Sequence, residues 1–186
     1  SAATRVNADG NIEKETSNSV LQSNTFSSAT WIKQQSGGTT PVVTSGFTDP
    51  NGGSNAWRLQ CSISGGLYSM ISQGLSTTGL NCNSIWIKSN TGSNQDVYFR
   101  INNSDQTTTR TATTTWQRIE VFTNAVGQSF TIGVRSAATG ATSSCDVLIY
   151  AAQTNQGLIA QEVLTTTTTA VYGGITDNTP RLDYTD

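Results

Sequence analysis

The sequence predicts an all-β fold: a two-sheet antiparallel β-sandwich of the jelly-roll type, with about eight strands and extended terminal segments. The composition is the first reason, because only 34% of the 186 residues are hydrophobic and 12% are charged. Thr, Ser, Asn, Gln and Gly take their place. Thr suits pleated strands, and Asn, Ser and Gly suit turns, whereas the helix formers Leu, Lys and Glu are scarce.

The second reason is a series of short runs in which apolar and polar residues alternate, as they do along half-buried strands. The predicted strands are 57–63, 67–73, 81–88, 95–101, 115–122, 129–135 and 145–151. Glycine pairs at 37–38 and 65–66 and the Asp-Pro-Asn-Gly-Gly segment at 49–53 predict turns between strands. The apolar positions of the last two strands define the predicted core, which includes Phe130, Ile132, Val134, Val147 and Ile149.

We expect three segments along the chain: a lead-in or linker at 1–22, the sandwich at 23–164 and an extended tail or linker at 165–186. No signal peptide is recognisable at the start. This is expected of a piece of a longer protein, and equally of a virion protein made in the cytosol.

The charge pattern bears on the partners. The formal net charge is −2, so no basic field is available to attract nucleic acid. No apolar run approaches the roughly 20 residues needed to span a bilayer. We therefore expect neither nucleic-acid binding nor membrane insertion.

The chain has three cysteines, Cys61, Cys82 and Cys145, and no histidine. An odd number cannot form a fully paired disulfide framework, and the spacing matches no zinc motif. Two interpretations remain open. The cysteines are buried thiols acting as small apolar residues, or one pair, Cys61–Cys145, forms a single bridge.

Catalysis is not expected from this sequence. Without histidine, the commonest general base and the Ser-His-Asp and Cys-His arrangements are absent. Paired carboxylates remain as a route to glycoside hydrolysis. The candidates Asp96, Asp105, Glu120 and Asp146 are sparse and follow no motif, so solvation of loops and strand ends explains them better.

Several segments, taken in order, resemble the carbohydrate-binding-module-like domains of phage tail proteins. They are Ser-Asn-Thr-Phe-Ser at 23–27 with Trp-Ile-Lys at 31–33, the Asp-Pro-Asn-Gly-Gly segment, 84–90, Thr-Thr-Trp-Gln-Arg at 114–118, and 148–157. The segments Thr-Arg-Val-Asn at 4–7 and Pro-Arg-Leu-Asp-Tyr at 180–184 are similar to linkers between modules of such proteins. The resemblance implies a jelly roll carried on a tail, collar or fibre protein, hence an extracellular, virion-associated homo-oligomer.

The sequence departs from the family pattern near the end of the last strand. Tyr150-Ala151 replaces the usual Trp-Gly, and Thr154-Asn155 replaces Leu-Glu. The missing glutamate removes a metal or saccharide contact at that point.

Saccharide recognition requires aromatic rings that stack on sugar rings and planar polar groups that bind their hydroxyls. Residues of these types have the parity opposite to the predicted core, with a glutamine nearby. They are Trp86, Tyr98, Arg100, Arg135, Tyr150 and Gln153. If their strands are neighbours in one sheet, they form one exposed face. The alternative is that a loop or another subunit covers this face. Trp31, Trp57 and Trp116 are expected to be structural, in the core or at its rim.

One structural calcium is a further possibility, since jelly rolls of this type often carry one. Calcium needs about six oxygen ligands. Asp49 with Asn51, or Asp9 with Asn7, are the candidates, and ordinary Asx turns are the alternative. No other cofactor is expected.

The sequence therefore favours a non-catalytic module of a phage tail or virion appendage that recognises a cell-surface polysaccharide or other glycan. The alternative is a structural domain that assembles with other virion subunits through its sandwich faces.

Overall fold

The computed structural model describes residues 4–6, 12–14, 16–102, 109–124 and 128–172, which form strands and turns. The strands are β1 (Thr4–Val6), β2 (Ile12–Lys14), β3 (Ser17–Asn18), β4 (Ile32–Gly38), β5 (Val42–Phe47), β6 (Ala56–Gly74), β7 (Leu80–Ser89), β8 (Gln95–Asn102), β9 (Thr109–Ala112), β10 (Gln117–Asn124), β11 (Gln128–Arg135), β12 (Ser144–Gln156) and β13 (Val171–Tyr172). Within these ranges, no helix has the length and hydropathy of a membrane span.

Strands β4 to β12 form an antiparallel sandwich of two layers, which confirms the predicted fold class. Sheet one has the order β4-β6-β11-β8-β9. Sheet two has the order β5-β6-β12-β7-β10. The first half of β6 belongs to sheet two and the second half to sheet one, so this strand joins the layers at one side.

The glycine pair at 65–66 does not end a strand, as the sequence suggested, but lies inside β6. Gly65 has a φ of 69°, and a residue without Cβ adopts this value without strain. The strand can therefore turn there from one sheet to the other. Gly66 lies so close to Gly37 of β4 that a Cβ would meet the Gly37 carbonyl oxygen at 2.2 Å.

The alternating apolar residues of both sheets meet in one core. The core positions predicted on β11 and β12 are confirmed, since Phe130, Ile132, Val147 and Ile149 are fully buried and Val134 is 1% exposed. Two aromatic pairs extend this core at one end, with Phe26 against Trp31 and Trp31 against Phe130.

The three cysteines are buried free thiols. Cys61 and Cys145 are direct partners on β6 and β12. The pKa of the Cys145 thiol lies well above its ordinary value, because of its hydrogen bond with Cys61 and its burial. Burial, together with the nearby Glu120 carboxylate, raises the pKa of Cys82 to about 12. The Cys82 and Cys145 thiols are therefore protonated at neutral pH and act as small apolar groups.

Parts of the expected lead-in and tail belong to the packed structure. Strand β3 pairs with β13, and Val20 is part of the core. The Asn18 side chain accepts from the Thr154 amide at 3.1 Å and donates to the Leu164 carbonyl at 2.7 Å. The start of the fold is thus tied to the end of β12 and to the chain that follows it.

Candidate functional site

The outward-facing residues predicted as one site lie on two different faces of the sandwich. Tyr98, Arg100 and Arg135 are on the outer face of sheet one, on β8 and β11. Trp86 and Tyr150 are on the outer face of sheet two, where they are direct partners on β7 and β12. The condition for a single exposed face, that these strands are neighbours in one sheet, is not met. Alternation distinguishes the inside of a strand from its outside, but it does not tell to which sheet the strand belongs.

On sheet two, Trp86 and Tyr150 form an adjacent pair of half-buried aromatic rings. Neither the Trp86 Nε1–H nor the Tyr150 hydroxyl hydrogen-bonds to any described residue. The contrast with the structural tryptophans is clear, because Trp31 donates to the Gln22 carbonyl at 3.0 Å and Trp57 to the Asn24 carbonyl at 2.8 Å. The polar atoms of the Trp86–Tyr150 pair thus have no hydrogen-bond partner among the described residues.

The backbone beside Tyr150 holds this pair in place. Ala151 has a φ of 54°, a left-handed conformation that L-residues rarely adopt. It lies in a bulge between Tyr150 and Gln153 of β12. Its amide donates to the Asn24 side-chain oxygen at 2.7 Å. A bulge of this kind reorients the preceding side chain, here Tyr150. A glycine at this position would meet no strain at this φ.

Gln153 does not extend the aromatic pair, contrary to the prediction. It is fully buried, donates to the Glu162 carbonyl at 2.9 Å and accepts from the Leu164 amide at 3.0 Å. Its amide thus holds residues 157–164 across the outer face of sheet two. Asn155 holds the same segment, donating to the Ile159 carbonyl at 3.0 Å.

Further along β12, beside Asp146, lies a groove of about 640 Å³. Hydroxyl, amide and carboxylate groups line it, including Thr39, Gln60, Thr91, Gln95 and Asp146. Four residues of strand separate Tyr150 from Asp146, which corresponds to about 13 Å. Lys88 and Leu148 lie opposite one another between these two points.

Asp146 at the edge of this groove is held in a fixed position. Arg58 donates to both of its carboxylate oxygens, Nε to Oδ1 at 2.8 Å and Nη2 to Oδ2 at 2.6 Å. Asn90 adds a third hydrogen bond at 3.1 Å. Hydrogen bonding from Arg58 outweighs the effect of burial and lowers the pKa of Asp146. The carboxylate is thus ionised at neutral pH. Sequence reasoning assigned this residue only to strand-end solvation.

On sheet one, Tyr98 lies at the centre of a second cluster. Met70, Ala138 and the half-buried Tyr68 pack together with it, and Tyr98 is only 1% exposed. The guanidinium of Arg135 lies over the rings of both tyrosines, 5.8 Å from each centre. Tyr68 was not predicted. The sequence predicted its strand, 67–73, but did not show which residues of that strand face the core. Tyr68 could therefore not be assigned to the outer face.

The predicted calcium ligand Asp49 is already fully engaged by hydrogen-bond donors. Its Oδ1 accepts from the Asn51 and Gly53 amides at 2.9 and 3.1 Å, and its Oδ2 from the Asn55 amide and side chain at 3.2 and 3.0 Å. These donors would have to turn away before the carboxylate could bind a cation. The arrangement is an Asx-type turn, the alternative weighed above.

The other residues predicted as metal ligands or catalytic acids show no metal site. Among the described residues, no group of three or more Cys, Asp or Glu side chains is placed to hold a metal ion. Asp96 accepts from the Thr111 hydroxyl at 2.6 Å and Glu120 from the Ala160 amide at 2.9 Å. Asn7, Asp9 and Asp105 lie outside the described residues.

No family model matches the sequence, and no curated protein matches it. Among solved structures, the chain is similar to TmCBM61 in complex with β-1,4-galactotriose, with a TM-score of 0.48 and 10% identity over 75% of this chain and 99% of that one. It is also similar to the CBM22-1–CBM22-2 tandem domain of Paenibacillus barcinonensis Xyn10C, with a TM-score of 0.49 and 17% identity over 78% and 46%.

A third similar structure is the enzymatically active domain of tailspike protein 4 of bacteriophage CBA120, with a TM-score of 0.45 and 14% identity. That match covers 75% of this chain, which spans only about a fifth (21%) of the tailspike chain. The structures that this β-sandwich resembles are thus carbohydrate-binding modules and β-sandwich domains of glycoside hydrolases, together with one phage tailspike domain.

Proposed function

We propose that the protein is a non-catalytic module that recognises a glycan through the outer face of sheet two. The observation that carries this proposal is the Trp86–Tyr150 pair. Two adjacent half-buried rings on one sheet have polar atoms that bond to no residue in the described ranges. Such rings stack on the apolar faces of sugar rings, while the indole N–H and phenol hydroxyl reach sugar hydroxyls.

The groove beside Asp146 supports the same proposal. It lies about 13 Å from Tyr150 along the strand, roughly the length of two or three linked sugar rings. Gln60, Gln95 and Asp146 offer amide and carboxylate groups that bind hydroxyls there. A short oligosaccharide lying along β12 would thus have its rings at one end and its hydroxyl partners at the other.

We further propose that this module belongs to a phage tail or virion appendage and acts outside the cell, where a surface polysaccharide is its target. The resemblance of the sequence motifs to such proteins supports this setting.

A glycan array tests the recognition proposal. Wild type is compared with Trp86→Ala and Tyr150→Ala, and Phe122→Ala serves as the matched control. Phe122 is an aromatic residue on β10 of the same sheet and is 59% exposed. Loss of one stacking ring is expected to weaken binding by about tenfold or more. Phe122→Ala should bind like wild type. Binding that survives both aromatic substitutions would refute the site.

A second candidate function, assembly of an appendage, is favoured by exposed apolar side chains beside the outer strand β10. Phe122 is 59% exposed, Leu158 51% and Ile159 70%, and such patches commonly mark contacts between subunits. Sedimentation discriminates between the two functions. If the protein is a homo-oligomer that Trp86→Ala dissociates, the aromatic pair is an interface and the glycan proposal fails.

A further inference from the structure

Two arginines on the opposite face, sheet one, share a tyrosine ring. The guanidinium carbons of Arg100 and Arg135 each lie 5.8 Å from the centre of the Tyr98 ring. Arg100 is only 8% exposed, whereas Arg135 and Tyr68 are half-buried. Arg100 and Tyr98 therefore form the floor of this cluster, and Arg135 and Tyr68 form its accessible rim.

Neither guanidinium has a counter-charge among the described residues. The Nε atoms of Arg100 and Arg135 are buried and donate to no acceptor among the described residues. Asp96, a described acid on this face, accepts from the Thr111 hydroxyl instead. A buried cation without a carboxylate is unfavourable for folding, and contact with an aromatic ring offsets only part of that cost. Within the described part of the chain, this cluster is therefore left without a counter-charge.

A ligand oxyanion would complete it. Guanidinium groups bind carboxylate and sulfate through paired hydrogen bonds. The Nε–H groups are buried, so a ligand would meet the terminal amino groups of the half-buried Arg135. The neighbouring tyrosine rings offer apolar surface to a sugar ring. Gln34 on β4 lies opposite Met70 on the same face and adds an amide for hydroxyls.

We propose that this face of sheet one is a second binding site, specific for an acidic saccharide whose carboxylate or sulfate ester is bound by Arg135 at the rim, with Arg100 adding positive charge from the floor. This inference rests on the proposed function in assuming that the ligand is a saccharide. It uses the opposite face and different residues, so each site can fail separately.

The test measures binding of the whole chain to uronic-acid and sulfated polysaccharides: polygalacturonate, alginate and chondroitin sulfate. Each is paired with its carboxyl-reduced or desulfated counterpart at constant ionic strength. The variants are Arg135→Gln and Arg100→Gln. The matched control is Lys33→Gln, which removes one positive charge from an exposed position on β4 of the same sheet. Inorganic sulfate alone is the free-anion arm.

We expect wild type and Lys33→Gln to bind at least one acidic polymer and to bind its neutral counterpart at least tenfold more weakly. Arg135→Gln should lose about tenfold or more in affinity for the acidic polymer, as expected for a charge-assisted hydrogen bond. Arg135 is at the rim, so this variant remains informative if Arg100→Gln fails to fold. Trp86→Ala should leave this Arg-dependent binding unchanged.

Three results would overturn the proposal: equal binding of acidic and neutral polymers, binding that both arginine substitutions leave intact, or the absence of arginine-dependent binding across the panel. Sulfate that binds as tightly as the acidic polymers would show an anion site without saccharide recognition, which also contradicts it. Failure of the sheet-two site has a different signature, loss of the Trp86-dependent binding alone.

Discussion

At the scale of single residues, the backbone of Ala151 is strained, and the bulge that contains it orients the neighbouring Tyr150. Its φ of 54° is left-handed, which costs an L-residue roughly 1–2 kcal/mol. Glycine removes this strain but adds about 0.5–1 kcal/mol of unfolded-state entropy. We expect Ala151→Gly to leave the free energy of unfolding within about 1 kcal/mol of wild type in urea titrations.

Ala152→Gly is the matched control, since Ala152 is fully buried in the core and has no left-handed φ. It should be destabilised by about 1 kcal/mol or more, from the lost methyl group and the added backbone entropy. Equal losses in the two variants would contradict the claim that Ala151 is strained.

The hydrogen bonds to the Asp49 carboxylate predict that the free energy of unfolding depends on pH in the acid range. Burial raises the pKa of its carboxyl, but hydrogen bonds from Asn51, Asn55 and Gly53 outweigh burial and hold the pKa below the ordinary 3.8. A lowered folded-state pKa adds stability above about 3.8, and this stability is lost as the pH falls through the folded-state value. Asp49→Asn should therefore be less stable at pH 7 by about 1–3 kcal/mol. Its stability should also fall less steeply than that of wild type below pH 4.

Urea titrations at several pH values give this comparison. Asp146 has a lowered pKa as well, so some acid sensitivity should remain in the variant. Parallel pH profiles for wild type and Asp49→Asn would contradict the role assigned to Asp49. Wild type and Asp49→Asn are also melted in calcium and in a chelator. A calcium-dependent rise in Tm that Asp49→Asn abolishes would show that Asp49 binds calcium.

At the scale of elements, close contact between β11 and β6 depends on Gly133. A Cβ there would lie 2.3 Å from the Ser69 carbonyl oxygen and 2.5 Å from the Met70 Cα. Both atoms are backbone, so the strands would have to separate. We expect Gly133→Ala to lose at least about 2 kcal/mol of unfolding free energy.

Gly74→Ala provides the control on β6, because a Cβ there has no atom within 4 Å. It should be neutral or slightly stabilising, since alanine has less freedom to lose on folding. Similar melting temperatures for the two variants would show that the two strands can separate at little cost.

The elements also show which strands could be predicted from the sequence. Strands with strong apolar alternation, such as β7, β8 and β11, were predicted to within a few residues, with the correct inner face. Strands β4, β5 and β9 were not predicted, because Lys-Gln-Gln-Ser-Gly-Gly in β4 has no periodicity and is extended by pairing with β6. Tertiary pairing decides such segments, and local pattern does not.

For the molecule as a whole, the candidate site could be predicted only in part. Composition and alternation identified aromatic and arginine residues that face away from the core, but not the sheet to which each belongs. Assigning them to faces required the sheet order, in which β12 lies between β6 and β7 and β11 between β6 and β8. The result is a sandwich with two separate outward clusters, Trp86 with Tyr150 and Tyr98 with its arginines, in place of one.

The most direct measurement of the central claim follows the four tryptophan indole N–H resonances by NMR during titration with the best glycan from the array. The account predicts that the Trp86 resonance shifts with a saturable profile, while those of Trp31 and Trp57 stay in place, because their Nε1–H groups bond to backbone carbonyls. A bound glycan that leaves the Trp86 resonance unmoved would contradict the account.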